Sequence, residues 1–255
     1  MFREKCIYNI NIRPQRAAQT FEKWRFNMAE FKVPEQKNLV FIGEAGSGKT
    51  ETAVNLALRM AREGGRRVHF FDMDQTKPLF RARDCEAQLE REGVVFHFQA
   101  QYLDAPTVAS GVIETLMDES SAVLMDIGGG SHGSHMIGQF SHLLNRENTL
   151  VLYIVNPFRP WSGRREDIDV TMRRVLGAAR LASFSLVANP NLGPDTRSED
   201  ILEGLRRFRG LFPGEEALFV CALEGLCSEL AGQVREPLLP IRLNTVPEWL
   251  AGSGT

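Results

Sequence analysis

The stretch Gly43–Thr50 reads Gly-Glu-Ala-Gly-Ser-Gly-Lys-Thr. It follows the apolar run Asn38–Ile42 and precedes a run with helical periodicity over Glu51–Glu63. Strand, glycine-rich loop and helix in this order are the context in which G-x-x-x-x-G-K-[ST], the Walker A pattern, predicts phosphate binding. Glycines let the backbone curl around a phosphate, and the first turn of the helix adds the positive end of its dipole. The sequence therefore predicts a nucleotide-binding loop.

Individual positions of this loop have predicted roles. Lys49 is expected to bridge the β- and γ-phosphates, and the Thr50 hydroxyl to bind Mg²⁺. Backbone N–H groups supply the other contacts. The predicted nucleotide-binding residues of the loop are Gly43, Ala45, Gly46, Ser47, Gly48, Lys49, Thr50 and Glu51.

Composition narrows the class of protein. The chain has 255 residues, of which 43% are hydrophobic and 24% charged, as in a soluble protein with one large core. A net charge of −2 is no strong signal for nucleic acid or a membrane surface, and no apolar run is long enough to span a bilayer. The four cysteines are scattered and the N-terminus lacks the apolar core of a signal peptide, so we expect free thiols and a cytoplasmic location.

Strand and helix patterns alternate along the rest of the chain. The predicted strands, apolar on both faces, are Arg66–Phe71, Val94–Phe98, Ala122–Asp126, Thr149–Val155 and Phe184–Ala188. The predicted helices are Leu79–Arg91, Pro106–Asp118, Ser134–Asn145, Gly163–Arg180 and Ser198–Arg209. This alternation predicts an α/β fold with a mainly parallel sheet and helices on both faces, and the glycine-rich loop indicates that it is of the P-loop NTPase type. We assign residues 38–255 to this nucleotide-binding domain.

Residues 1–37 are predicted to form an N-terminal helical extension. Pro14 suits the first turn of a helix. Apolar residues recur after it at spacings of three and four: Ala17, Phe21, Trp24, Met28 and Phe31. A helix packed on its own domain is favoured over a helix that docks on a partner or membrane.

Three acids lie at the ends of predicted strands, where ligands bind in open α/β sheets. Asp126 precedes glycines and suits a carboxylate that supports Mg²⁺, with Asp72 as a second metal-supporting group. Asp74 is expected to orient the water that attacks the γ-phosphate. The predicted catalytic residues are Lys49, Asp74 and Asp126, and the predicted metal site is Thr50, Asp72 and Asp126. A turn after Asp126, or a helix cap at Asp72 or Asp74, is the structural alternative.

The order of these parts resembles the MinD/ParA branch of P-loop ATPases. The resemblance rests on the loop, Asp72-x-Asp74, Asp126-x-Gly-Gly and Asn189-Pro190, and covers about residues 38–245. It implies that ATP and Mg²⁺ are bound, that Asn189 reads adenine, and that a homodimer encloses the nucleotide. Asn189 is not followed by the Lys-x-Asp with which GTPases read guanine, which favours ATP over GTP.

One position departs from this family. Its loop carries a signature lysine where this chain has Glu44. A carboxylate cannot stabilise charge that develops on phosphate oxygens. We therefore expect slow turnover or a replacement cation, for which Lys77, Arg81 and Arg83 are the nearest candidates.

Two further segments carry chemistry. His132, His135 and His142 could share a helix face and bind a metal, but surface histidines are the expected explanation. We predict no iron–sulphur cluster and no structural zinc. The segment Asn156–Trp161 joins a strand to a helix and is expected at the rim of the nucleotide face, where Trp161 is either an exposed partner contact or buried.

The leading prediction is a slow Mg²⁺-dependent ATPase that acts as a nucleotide switch for an unidentified protein partner. The first alternative is a small-molecule or polynucleotide kinase on the same fold, with the Lys77–Arg83 stretch as its lid. The second is a metal-cofactor maturation NTPase, which depends on the histidines.

Overall fold

The computed structural model describes residues 13–14, 31–74, 82–98 and 111–245. The strands are β1 Arg13–Pro14, β2 Asn38–Ile42, β3 Arg67–Met73, β4 Val95–Phe98, β5 Ser121–Ile127, β6 Thr149–Val155, β7 Ser183–Ala188, β8 Val220–Leu223 and β9 Leu238–Ile241. The α-helices are α1 Lys49–Glu63, α2 Glu86–Arg91, α3 Val112–Met117, α4 Ser131–Ile137, α5 Ser141–Leu144, α6 Arg165–Ala179, α7 Ser198–Leu211 and α8 Cys227–Leu230.

The main sheet has the strand order β4-β3-β5-β2-β6-β7-β8-β9. Every pairing in it is parallel. The central strands β2, β5 and β6 are buried along their whole length and read as largely apolar runs, whereas the edge strand β4 is only partly buried. Core residues of α1 and α2 pack on one face, and those of α3 to α7 pack on the other. The predicted α/β fold with helices on both faces is confirmed.

Strand register determines which side chains meet at the carboxyl edge of the sheet. Asp72 of β3 is directly opposite Asp126 of β5, which is opposite Phe41 of β2. Residues in register on parallel neighbours project from the same face. Because Phe41 belongs to the core cluster under α1, both carboxylates face the helix that follows the glycine-rich loop.

The helices between the strands differ from the predictions at several ends. The predicted helix Leu79–Arg91 is a 3₁₀ turn over Ala82–Cys85 followed by α2, and residues 79–81 lie outside the described ranges. The predicted helix Ser134–Asn145 begins earlier, at Ser131, and is interrupted by a 3₁₀ turn at Gly138–Phe140. Gly138 lies in this turn, and a Cβ there would lie 2.8 Å from the carbonyl oxygen of Ala178, so the turn packs closely against α6.

The interpretation of Pro14 as a helix start is wrong. Arg13–Pro14 is extended and pairs in parallel with Ser183–Phe184 of β7. Proline has a fixed φ that suits an extended chain as well as a first helical turn, and its missing N–H is tolerated at the edge of a strand pair. The positions Ala17, Phe21, Trp24 and Met28 lie outside the described residues. Phe31 is buried with its ring edge-on to Phe219, while the domain boundary at residue 37 stays a prediction.

Within residues 31–74, 82–98 and 111–245, no helix combines the length and hydropathy that crossing a membrane requires.

Candidate functional site

The loop Gly43–Thr50 leaves β2 and enters α1 through a backbone that only glycines adopt easily. Gly46 and Gly48 have φ of +71° and +92°, in the left-handed region. A Cβ on Gly43 would lie 2.6 Å from the carbonyl oxygen of Ile154 in β6, and one on Gly48 only 1.9 Å from Nδ2 of Asn189. The loop is therefore packed against β6 and the end of β7, and it forms a cradle that side chains would fill.

Two polar groups of the cradle fit an anion. The Nζ of Lys49 is buried in the site and donates to the carbonyl oxygen of Glu44 at 2.9 Å. Ser47 has a buried hydroxyl with no hydrogen-bond partner among the described residues. Buried polar atoms are normally paired, so an unpaired hydroxyl in a loop rich in backbone N–H groups is consistent with a phosphate oxygen as its partner.

The predicted metal-binding groups are brought together. The Thr50 hydroxyl donates to Oδ2 of Asp126 at 2.6 Å, and Asp72 lies beside Asp126 in the neighbouring strand. A hydroxyl with two buried carboxylates is an all-oxygen donor set, which suits Mg²⁺. Burial, and then repulsion by Asp126, raises the pKa of Asp72 to about 6. A cation between these carboxylates would relieve that repulsion.

Arg83 holds the two acids at the end of β3. Its Nε donates to Oδ2 of Asp72 at 3.2 Å, and its Nη2 donates to the carbonyl oxygen of Asp74 at 2.6 Å. The guanidinium also lies 3.9 Å from the ring centre of Phe98. Arg83 is one of the three predicted replacements for the signature lysine, but these contacts hold its guanidinium at Asp72 and Asp74. The other two candidates, Lys77 and Arg81, lie outside the described residues.

The glycines after Asp126 connect the acids with the loop. A Cβ on Gly128 would lie 2.9 Å from Oδ1 of Asp74, and one on Gly129 would lie 2.8 Å from the Cα of Ala45. The segment after β5 therefore touches both the buried side chain of Asp74 and the phosphate loop. Such close approaches require glycine at both positions. The pattern Asp-x-Gly-Gly in the sequence indicates a turn, and the structure adds these two contacts.

Asn189 braces the loop. Its Nδ2 donates to the carbonyl oxygen of Ser47 at 2.7 Å, and its Oδ1 accepts a 2.6 Å hydrogen bond from Nδ2 of Asn191. Asn191 also donates to the carbonyl oxygen of Cys221. Sequence reasoning missed Asn191, although its position two residues after Asn189 was the available signal. The reading of adenine by Asn189 stays a prediction.

The Glu51 side chain holds the chain after β9 rather than pointing at the cradle. Its Oε2 accepts hydrogen bonds from the backbone N–H of Thr245 at 3.1 Å and from the Thr245 hydroxyl at 2.6 Å. Its Oε1 accepts from the side chain of Asn244 at 3.1 Å. The group of Glu51 that fits the predicted nucleotide contact is therefore its backbone N–H, in the first turn of α1.

Two arginines that were not among the three candidate cations approach the loop. Nη2 of Arg174, on α6, lies 3.9 Å from Oε2 of Glu44. Nε of Arg159, in the turn after β6, donates to the carbonyl oxygen of Gly46 at 3.0 Å. Trp161 lies beside the same glycine and is 40% exposed, so the alternative of a buried side chain is wrong, while a contact with a partner stays a prediction. The segment Asn156–Trp161 thus borders the loop.

The histidines are not brought together as a metal site in the part of the chain that is described. His135 on α4 and His142 on α5 are both exposed, and the His132 side chain lies outside the described positions. No group of three or more His, Cys, Asp or Glu residues there is arranged to hold a metal ion. The expected absence of zinc and of an iron–sulphur cluster stays a prediction.

The family model of the CobQ/CobB/MinD/ParA nucleotide binding domain matches residues 39–186, which include the loop and all three acids. The chain belongs to this family. It is a nucleotide-binding P-loop NTPase of the MinD/ParA type, and the resemblance seen in the sequence is confirmed. No curated protein sequence matches the chain significantly.

Several solved structures are similar to this chain at low identity. Chloroplast FtsY from Physcomitrella patens is 14% identical, with a TM-score of 0.50, and the match covers 89% of this chain and 70% of that one. The signal recognition particle receptor FtsY from Elizabethkingia anophelis, in complex with GDP, is 16% identical over 85% of this chain, with a TM-score of 0.49. This chain spans 64% of the length of that receptor. A nucleotide-binding protein from Archaeoglobus fulgidus, in complex with ADP, is 14% identical, with a TM-score of 0.44 and coverage of 91% and 96%.

Proposed function

We propose that this CobQ/CobB/MinD/ParA-family protein is a slow Mg²⁺-dependent ATPase that acts as a nucleotide switch for a protein partner in the cytoplasm. The observation that carries the proposal is the contact between Thr50 and Asp126, with Gly129 against Ala45. The metal-binding end of the site and the phosphate loop are thereby parts of one packed unit. A change at the terminal phosphate would act on both.

Each residue of the site would have a distinct role in hydrolysis. The loop N–H groups and Lys49 would hold the β- and γ-phosphates, and Thr50 and Asp126, supported by Asp72, would hold Mg²⁺, which supplies positive charge at the phosphates when bound. Asp74 would orient a water whose oxygen bonds to the γ-phosphorus while the bond to the β–γ bridging oxygen breaks. The products are ADP and inorganic phosphate.

The switch follows from the contacts of Gly128 and Gly129. Both glycines belong to the segment after Asp126, and they touch Asp74 and Ala45 respectively. Loss of the γ-phosphate would remove a group that both Asp74 and Ala45 would face. The conformation of the segment after Asp126 would therefore depend on which nucleotide is bound. A partner that reads the segment would distinguish the ATP state from the ADP state.

ATP is favoured over GTP because Asn189 is followed by Pro190, Asn191 and Leu192 rather than by Lys-x-Asp. Hydrolysis is favoured over phosphorylation of a hydroxyl substrate because Arg83, one of the three basic residues in the lid of the kinase alternative, is held on Asp72 and Asp74.

Calorimetric titration tests the proposal. Wild-type protein should bind Mg²⁺-ATP more tightly than Mg²⁺-GTP, and Lys49→Ala should lower ATP affinity about tenfold or more, as expected for loss of a charge-assisted contact. Lys32→Ala, which removes an exposed lysine, is the matched control and should bind like wild type. Tighter binding of GTP would refute the base preference, and unchanged affinity in Lys49→Ala would mean that this loop is not the phosphate site.

A further inference from the structure

Arg159 is placed at the loop by a braced turn. Its backbone N–H donates to the carbonyl oxygen of Asn156 at 3.2 Å, and its own carbonyl oxygen accepts from the N–H of Ser162 at 2.9 Å. The Asn156 side chain accepts from the N–H of Phe158 and donates to the carbonyl oxygen of Asn191. The turn is therefore tied at both ends and to the segment after β7, so the direction in which Arg159 leaves the backbone is determined by the fold.

The guanidinium reaches the apex of the phosphate loop. Nε donates to the carbonyl oxygen of Gly46 at 3.0 Å, and this is the hydrogen bond that anchors the side chain. Within the described residues, Nη1 and Nη2 have neither a hydrogen bond nor an ion pair with the protein. Arg159 is also exposed, so these nitrogens are open to a ligand.

Other cations near the loop already have protein contacts. Arg83 is held by Asp72 and Asp74. The Arg174 guanidinium is nearest to the Glu44 carboxylate, at 3.9 Å. Arg159 alone among these three arginines contacts a loop atom while leaving both terminal nitrogens available.

We propose that Arg159 contacts the terminal phosphate of the bound nucleoside triphosphate and is the intramolecular cation that stabilises it. This assignment rests on the proposed function. A planar guanidinium presents several N–H donors in a geometry that matches phosphate oxygens, and its charge does not depend on pH in the working range. Stabilising charge on the terminal phosphate is the main task of residues in a phosphoryl-transfer site.

The structure also offers a weaker role, in which Arg159 only braces the loop through Gly46. The two roles differ in one measurable respect. A brace supports the cradle for any nucleotide, so its loss lowers the affinity for triphosphate and diphosphate alike. A contact to the terminal phosphate affects the triphosphate alone.

The experiment is calorimetric titration of Mg²⁺-ADP and of a non-hydrolysable ATP analogue with Mg²⁺. Arg159→Ala should lower affinity for the analogue about tenfold or more while ADP affinity stays within about twofold. Arg159→Gln, which keeps a similar stem, should show the same selective loss, and it serves in place of alanine if that variant unfolds. Arg164→Ala removes a nearby exposed arginine that pairs with Asp167, and should change neither affinity. Arg159→Lys should retain part of the preference for the triphosphate, since it keeps the charge.

Equal losses for both nucleotides, or no loss for either, would overturn the assignment while leaving the proposed function standing. Wild-type protein that binds neither nucleotide would overturn the proposed function and the assignment together.

Discussion

The hydroxyl of Thr50 donates a 2.6 Å hydrogen bond to Oδ2 of Asp126, which ties the first turn of α1 to the end of β5. If this pair holds Mg²⁺, Thr50→Ala should remove most of the gain in ATP affinity that Mg²⁺ produces, about tenfold or more. Affinity measured in excess EDTA should hardly change. Thr115→Ala is the control, because the Thr115 hydroxyl bonds the carbonyl oxygen of Gly111 one helical turn earlier and is not among the predicted site residues. An undiminished Mg²⁺ effect in Thr50→Ala would argue against this metal site.

Gly48→Ala should disable the loop without unfolding the domain. The residue has φ of +92°, which costs a non-glycine residue about 1–2 kcal/mol. Its new Cβ would also displace Asn189 from the carbonyl of Ser47. We expect a lower unfolding midpoint and loss of detectable nucleotide binding. Gly177→Ala lies in helix α6, where a Cβ would have no described atom within 4 Å apart from its chain neighbours and its own helix backbone. It should instead stabilise the fold by about 0.5–1 kcal/mol and leave binding intact. Normal nucleotide affinity in Gly48→Ala would contradict the cradle geometry.

The sequence predicts the individual elements of this site better than it predicts which elements lie side by side. The predicted bounds of β6 are the observed ones, and the sequence indicates the acids at the ends of β3 and β5, because strand ends leave local patterns of apolar runs and glycines. The approach of Arg159 to Gly46 has no such local pattern. It depends on β6 lying next to β2, and their paired residues are more than a hundred positions apart. Local sequence patterns do not establish that strand order, so they indicate only the basic residues that follow Asp74 in sequence as candidate cations.

Asp74→Asn should separate catalysis from binding. The side chain is buried against Gly128, and its proposed role is to orient the attacking water. Loss of a group that handles the water should lower the rate of phosphate release about 100-fold or more, while the dissociation constant for ATP changes little. Asp195→Asn removes an exposed carboxylate that is not among the predicted site residues, and it should turn over like wild type. Unchanged phosphate release by Asp74→Asn would assign the water to another residue.

The half-buried His97 predicts a pH dependence of stability that is separate from the nucleotide site. Burial, helped by neighbouring His69, lowers the pKa of His97 to about 4 from an ordinary value of 6.5. The unfolded chain therefore takes up a proton that the folded chain resists. The stability from this group is fully present above about pH 6.5 and is lost as the pH falls towards 4.

Between pH 7.5 and pH 5 we expect His97 to account for about 1 kcal/mol of the fall in the free energy of unfolding, after a discount for its partial exposure. His97→Phe keeps a ring to stack on Phe71, so urea unfolding of this variant should fall less steeply with pH. His142→Phe, at an exposed position, should follow the wild-type curve. Identical pH slopes in wild type and His97→Phe would show that His97 is not the source of the pH dependence of stability.

The proximity of Glu44 and Arg174 has a consequence for nucleotide binding. The Glu44 carboxylate belongs to the phosphate loop, where it repels an anion, and Arg174 of α6 approaches it to 3.9 Å. Both side chains are partly exposed, so solvent weakens their attraction. Arg174→Ala should lower ATP affinity a few-fold, since Glu44 then repels phosphate without compensation. Glu44→Gln should raise affinity, and Glu44→Lys should raise it further and speed turnover if the acid limits both.

A double-mutant cycle decides whether the two residues act through each other. If Arg174 only offsets Glu44, adding Arg174→Ala to Glu44→Gln should cost no further affinity, because there is no carboxylate left to offset. Calorimetry with Mg²⁺-ATP measures all four proteins, and Arg173→Ala, a neighbouring exposed arginine on α6, controls for loss of charge from the helix. Equal losses from Arg174→Ala in both backgrounds would mean that Arg174 acts on the nucleotide directly. Wild-type turnover near the enzyme median of about 10 s⁻¹ would show that Glu44 imposes no limit at all.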